Sequence, residues 1–250
     1  MEILLFAGAD ASLVLAKGKF GSALAAAASP GNLKCLQVLV KAGADVNGNV
    51  GSGSYGSALA ATAVTRKKDC LRLLIIAGAD VNRPLGSGLC GGALAAAAAC
   101  GKLRCLRLLI KAGADVKQDL ASGCFGNAMI AAVWAGSVSC LEALLSAGAD
   151  VGHLARAGSE AKNGSPLVAA AALKHVACGN LLIQRGADVG LVLKHGRYAT
   201  SLEAGKFRYP VPEDYRVAEL GNAIVVRDAQ SWAFRATREG VVFLNELRGG

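Results

Sequence analysis

The tetrapeptide AGAD returns on a fixed beat, at residues 7–10, 42–45, 77–80, 112–115 and 147–150, and a variant, RGAD, ends at Asp188. The first four steps are 35 residues and the last is 38. A second block keeps the same time: GSAL at 21–24 and 56–59, GGAL at 91–94, GNAM at 126–129 and GSPL at 164–167. Two separate blocks on one period mean a repeat array, in which each unit buries its apolar face only by stacking on its neighbours.

One unit shows what is repeated. The stretch from Ser22 to about Ser29 is alanine-rich, with high helix propensity, and Ser22 stands where an N-cap acceptor is wanted. Pro30-Gly31 breaks that helix. Leu33, Leu36, Leu39 and Val40 then recur at helical spacing, which predicts a second helix from about Lys34 to Ala42 with Gly43 as a left-handed C′ residue. Asp45 to Tyr55 is rich in Gly, Asn and Ser and reads as an extended turn or hairpin. The unit is helix, turn, helix, hairpin.

SALAAAASPGNLKCLQVLVKAGADVN (22–47) resembles the ankyrin repeat, whose pattern is close to T-P-L-H-x-A-A-x-x-G-x-x-x-V-V-x-x-L-L-x-x-G-A-D-V-N. The resemblance covers roughly residues 1–189 and implies an all-α solenoid of stacked helix-turn-helix units joined by hairpin loops. A half unit occupies 1–21, and helix pairs start near 22, 57, 92, 127 and 165. The histidine of the family pattern is replaced by Ala25, Ala60, Ala95, Ile130 and Val168. Arg66 and Lys174 replace the turn glycine, where backbone strain is expected.

A thiol keeps the same schedule: Cys35, Cys70, Cys105, Cys140 and Cys178. It occupies the first V of V-V-x-x-L-L, which faces the core, where cysteine acts as a small hydrophobe. Metal sites need several ligands converging, and single cysteines in different layers do not converge. Cys90 takes the slot of Phe20, Tyr55 and Phe125, while Cys100 and Cys124 fall in a turn and a hairpin where exposure is expected. Eight cysteines without a secretory signal fit a reducing, intracellular compartment, cytoplasmic or nuclear.

Sequences that look like chemistry belong to the repeat. GSGSYG (51–56) and GSGLCG (86–91) match a dinucleotide-binding glycine pattern, but a helix ending in AGAD precedes them, not a strand. The recurring aspartates read as turn groups that hold nearby amides. His153, His175 and His195 read as surface or turn residues with no paired acid. No catalytic residue, cofactor or metal is expected. Asn47 and Asn82 read as turn residues that tolerate left-handed backbone. The family resemblance adds that such hairpin asparagines are in some members substrates of an asparaginyl hydroxylase.

Two surfaces remain as candidates. Ankyrin proteins commonly bind through hairpin tips and the ends of the first helices. That line here is Ser29, Val64, Ala99, Trp134 and Ala172, with Trp134 as the anchor because interface hot spots favour tryptophan. Asn49, Arg83, Gln118 and Asp119 supply the polar rim. The second surface is basic. The formal net charge is +9, and Lys34, Lys41, Arg72, Arg104, Arg107 and Lys111 fall on the second helices, on the outer side of the ankyrin register. A solvated face is the usual meaning of such charges, and an acidic protein surface stands as the alternative. Nucleic acid is disfavoured because no aromatic residues interleave with the charges.

The apolar runs fall well short of the ~20 residues that span a bilayer, so no membrane insertion is expected. Met1 aligns with Leu36, in mid-unit, which suggests that upstream repeats are missing. After Val189 the beat is lost. Residues 190–250 read as an irregular linker and a degenerate C-terminal cap, with 231–250 resembling one more helix pair. The expected function is non-catalytic protein binding by a monomer through the concave surface. A recognition or regulatory segment of a larger receptor or enzyme, and a basic-face binder of nucleic acid or anionic surfaces, stand as the alternatives.

Overall fold

The computed structural model describes residues 7–14, 20–48, 55–85, 90–120, 122–154 and 164–188, and the backbone of 217–220, 223–227, 233–237 and 240–243. Among the described residues five helix pairs follow one another. They are α1 (Ala23–Ala28) with α2 (Leu33–Lys41), α3 (Ala58–Thr65) with α4 (Lys68–Ile76), and α5 (Ala93–Ala99) with α6 (Leu103–Lys111). Then come α7 (Ala128–Trp134) with α8 (Val138–Ser146), and α9 (Pro166–Leu173) with α10 (Val176–Gln184). The array is the expected all-α ankyrin solenoid.

Local chemistry sets both ends of each pair. The hydroxyls of Ser22, Ser57 and Ser165 each accept a backbone N–H three residues on, at 3.1 Å, so the first helices start where the GSAL-type blocks place them. Asn127 does the same for α7 at 2.8 Å. The second helices end in the expected glycine cap. The Ala44 N–H donates to the Leu39 carbonyl and the Gly43 N–H to Val40, both at 3.0 Å, with Gly43 at φ +81°. This is the Schellman arrangement, which satisfies carbonyls that a helix end leaves open. Arg66 and Lys174 sit at φ +66° and +56°, where Gly31, Gly101 and Gly136 sit in other units. The strain expected there is present.

Stacking supplies the core. Leu36 and Leu39, Leu71 and Leu74, Leu106 and Leu109, and Leu141 and Leu144 are fully buried between layers. The first helices bury alanines such as Ala25, Ala61, Ala97 and Ala132. Methyl side chains let these helices approach one another more closely than the second helices do. Closer spacing on one side curves the stack, so the first helices line its concave face. Cys70, Cys105, Cys140 and Cys178 are buried in one column, and burial pushes each thiol above its ordinary pKa. The schedule of thiols is architecture. Cys35, at the start of the column, is half-buried.

The C-terminal segment departs from expectation. Instead of a further helix pair in 231–250, the backbone forms strands at Ala233–Thr237 (β3) and Gly240–Phe243 (β4). Together with β1 (Val217–Leu220) and β2 (Ala223–Arg227) they make an antiparallel sheet in the order β1-β2-β3-β4. The physical reason is in the sequence. AIVVR and GVVF carry adjacent β-branched residues, which favour strand over helix. The half-unit residues 1–6, the linker 190–216 and His195 lie outside the described residues.

Candidate protein-binding surface

The concave line begins at Ser29, the C-cap of α1. Its hydroxyl lies 3.5 Å from the Tyr55 hydroxyl in the next unit. Val64 and Ala99, near the ends of α3 and α5, are half-buried, and Ala172 in α9 is buried. Trp134 closes α7 and is 53 % exposed, so its neighbours do not cover it. The Phe125 ring meets it edge-on with centroids 5.6 Å apart, and Phe125 itself is buried. Trp134 is therefore an exposed aromatic held from one side. A second aromatic pair, Phe20 and Tyr55, stacks at 6.3 Å and 18°. Cys90 occupies the same hairpin slot between the two pairs and packs, half-buried, against the core. Burial, reinforced by Cys100 and Cys124, pushes its thiol up to about 12. Cys124 is exposed and Cys100 half-buried.

The polar rim is partly committed to the scaffold. The Gln118 side chain donates to the Asn82 carbonyl at 2.5 Å. Asp119 meets His153 Nε2 at 2.6 Å, so the expectation of an unpaired histidine is corrected: the two residues stand side by side in successive hairpins. Arg83 is half-buried and lines a crevice with Val46, Asn47 and Ser57, which has room for about one water molecule. Asn49 lies outside the described residues, as do 51–54 and 86–89 of the glycine patterns.

The hairpin bases hold a ladder that the sequence reading missed. The Asn47 side chain donates to the Gly78 carbonyl at 2.9 Å and accepts the Asp80 amide at 2.7 Å. Asn82 does the same with Gly113 and Asp115, at 3.0 and 2.7 Å. Both asparagines stand in turns, as expected, but neither has left-handed backbone. They are bridges between units. The signal was their separation from Gly78 and Gly113, which is 31 residues and close to one period. The AGAD aspartates behave as expected, each accepting the amide two residues on: Asp45 from Asn47 at 2.9 Å, Asp150 from Gly152 at 3.0 Å.

On the opposite face, Lys34, Lys41, Arg72, Arg104, Arg107 and Lys111 are all exposed, as the register predicts. Among the described residues no three His, Cys, Asp or Glu side chains converge as metal ligands, and no helix is long and apolar enough to cross a membrane.

The stacked pairs, glycine caps and hairpin bridges define a repeat-protein interaction scaffold. The family model for ankyrin repeats (3 copies) matches residues 1–84 and 94–192, and the chain belongs to the ankyrin repeat family. The crystal structure of the human ASB11 ankyrin repeat domain is similar at 27 % identity, with a TM-score of 0.58. The match covers 74 % of this chain and 76 % of that one. No curated protein matches the chain. Ankyrin repeats generally mediate protein–protein interaction and are generally not catalytic.

Proposed function

We propose that the chain is a non-catalytic scaffold that binds a protein partner through its concave surface, with Trp134 as the anchor. The observation that carries this reading is the exposure of Trp134 together with its edge contact to buried Phe125. A large apolar ring held in place before binding loses little conformational freedom on docking. Val64 and Ser29 continue the same line toward α1, and Arg83 stands at its polar edge. The eight cysteines support a reducing, intracellular setting.

The test is quantitative affinity purification with the intact chain beside Trp134→Ala. Truncation of a central tryptophan anchor costs on the order of 2 kcal/mol or more of binding, about thirtyfold, so specific partners should be depleted by that factor. The variant's melting temperature, measured in parallel, separates lost binding from lost folding. Equal recovery of the same partners by both proteins removes the groove assignment.

A further inference from the structure

The turns and second helices of the second and third helix pairs, residues 66–76 and 102–111, carry eight cations against one acid, Asp69. Among the described residues none of these cations is in an ion pair. Stability does not explain them. Lysine near a helix C-terminus, as at Lys111, complements the helix dipole, but the cations at the N-termini of α4 and α6 oppose it. Arg72 lies four residues from Lys68, and Arg107 four from Lys111, so like charges repel along each exposed strip.

The strip is not uniformly charged. Ile76 is 77 % exposed and stands where Lys41 and Lys111 stand in the neighbouring units. The column across the stack therefore reads cation, apolar, cation. We propose that this face docks an acidic polypeptide segment in polyproline II conformation, with an apolar residue on Ile76 and carboxylates reaching Lys41 and Lys111. Packed helices lie ~8–10 Å apart, and a polyproline II chain advances ~3.1 Å per residue with three residues per turn, which brings every third side chain back to one face. Successive contacts thus fall about three residues apart along the partner, as acid-x-x-apolar-x-x-acid. Arg72 and Arg107, one turn back, take further carboxylates. A phosphate backbone has no group for Ile76, which favours a peptide over nucleic acid. This face lies opposite the concave line, so its fate is independent of the Trp134 reading.

The probe is a fluorescein-labelled peptide with Glu-Glu-Ser-Leu-Ser-Glu-Glu at its centre, titrated with the full chain by anisotropy at low salt. Its partners are the Leu→Ser peptide and a random DNA duplex. The expected result is saturable binding that falls about tenfold with Arg72→Glu/Arg107→Glu and is lost at high salt. Ile76→Ser and the Leu→Ser peptide should each weaken it about fivefold. Should the charge-reversed variant fail to fold, by circular dichroism, the Ile76 and peptide changes carry the test. Binding insensitive to both apolar changes, DNA bound more tightly than the peptide, or no binding up to about 1 mM peptide each overturn the proposal.

Discussion

The side-chain oxygen of Asn82 accepts the backbone amide of Asp115, one repeat further on, at 2.7 Å. With the bond from its nitrogen to the Gly113 carbonyl, one side chain closes two backbone groups of the next hairpin. Ser12 makes a shorter version of this bridge to Asp45, and Asn47 the full version to Asp80. Lys117 holds the equivalent place next, and among the described residues it makes no such bridge to Asp150. The ladder is continuous across the first three hairpin junctions and stops there.

Asn82→Ala should therefore cost about 1–2 kcal/mol, since two backbone groups lose their partner at a partly exposed site. Lys117→Asn should add up to ~1 kcal/mol by extending the ladder. Urea unfolding at constant slope is the measurement, because a change of midpoint without a change of slope reports stability alone. A stability gain from Asn82→Ala would show that the bridge is incidental.

Arg66 and Lys174 offer a cleaner test of strain. A non-glycine residue in left-handed backbone costs ~1–2 kcal/mol, and glycine adds back about 0.4–1 kcal/mol of unfolded-chain entropy. Arg66→Gly and Lys174→Gly should each stabilise by roughly 0.5 kcal/mol, with effects that add because the two turns are far apart in the array. A loss of stability from either change would mean that the side chain makes a contact worth more than the strain.

The repeat period made most of this fold legible. Ser22, Gly43 and Cys70 each act within a few residues of themselves or at one fixed place in the layer, so their roles follow from the unit alone. Asn47, Asn82 and the His153–Asp119 contact were missed because their partners lie in the next unit. Sequence position does carry that signal, since residues about one period apart stand side by side in a stack. Of the candidate surface, the exposure of Trp134 could not be read from its position, because it depends on which neighbours, Phe125 among them, pack against the ring. The sheet in 217–243 was hidden by a turn-like stretch, Ala236 to Gly240, that outweighed its β-branched runs in the reading.

Gly179 shows what the same column logic can repair. It stands in α10 where Leu36, Leu71, Leu106 and Leu141 stand in the other second helices. A methyl group added there would meet the Ala170 side chain at 3.8 Å, an ordinary contact. Gly179→Ala should raise stability by about 1 kcal/mol, from helix propensity and lost unfolded-state freedom together. Thermal unfolding followed by circular dichroism checks it, and an unchanged or lowered midpoint would place unseen crowding at that site.

Alkaline pH should weaken the array through its thiols. Burial raises Cys70, Cys105, Cys140 and Cys178, and raises Cys90 from 9.0 to about 12. A folded-state pKa above the unfolded value means that the unfolded chain ionises first. The stability these groups contribute is then fully present below pH 9.0 and falls as pH rises, with that of Cys90 gone by about 12. Cys90→Ser replaces the thiol with a hydroxyl that does not ionise in this range, so its denaturation midpoint should fall less steeply above pH 9.0 than that of the unaltered chain. In the same window Cys124, which is exposed, should react with a thiol reagent long before the buried column does. Equal labelling rates for Cys124 and Cys140 would mean that the layers open far more often than a stacked leucine core allows.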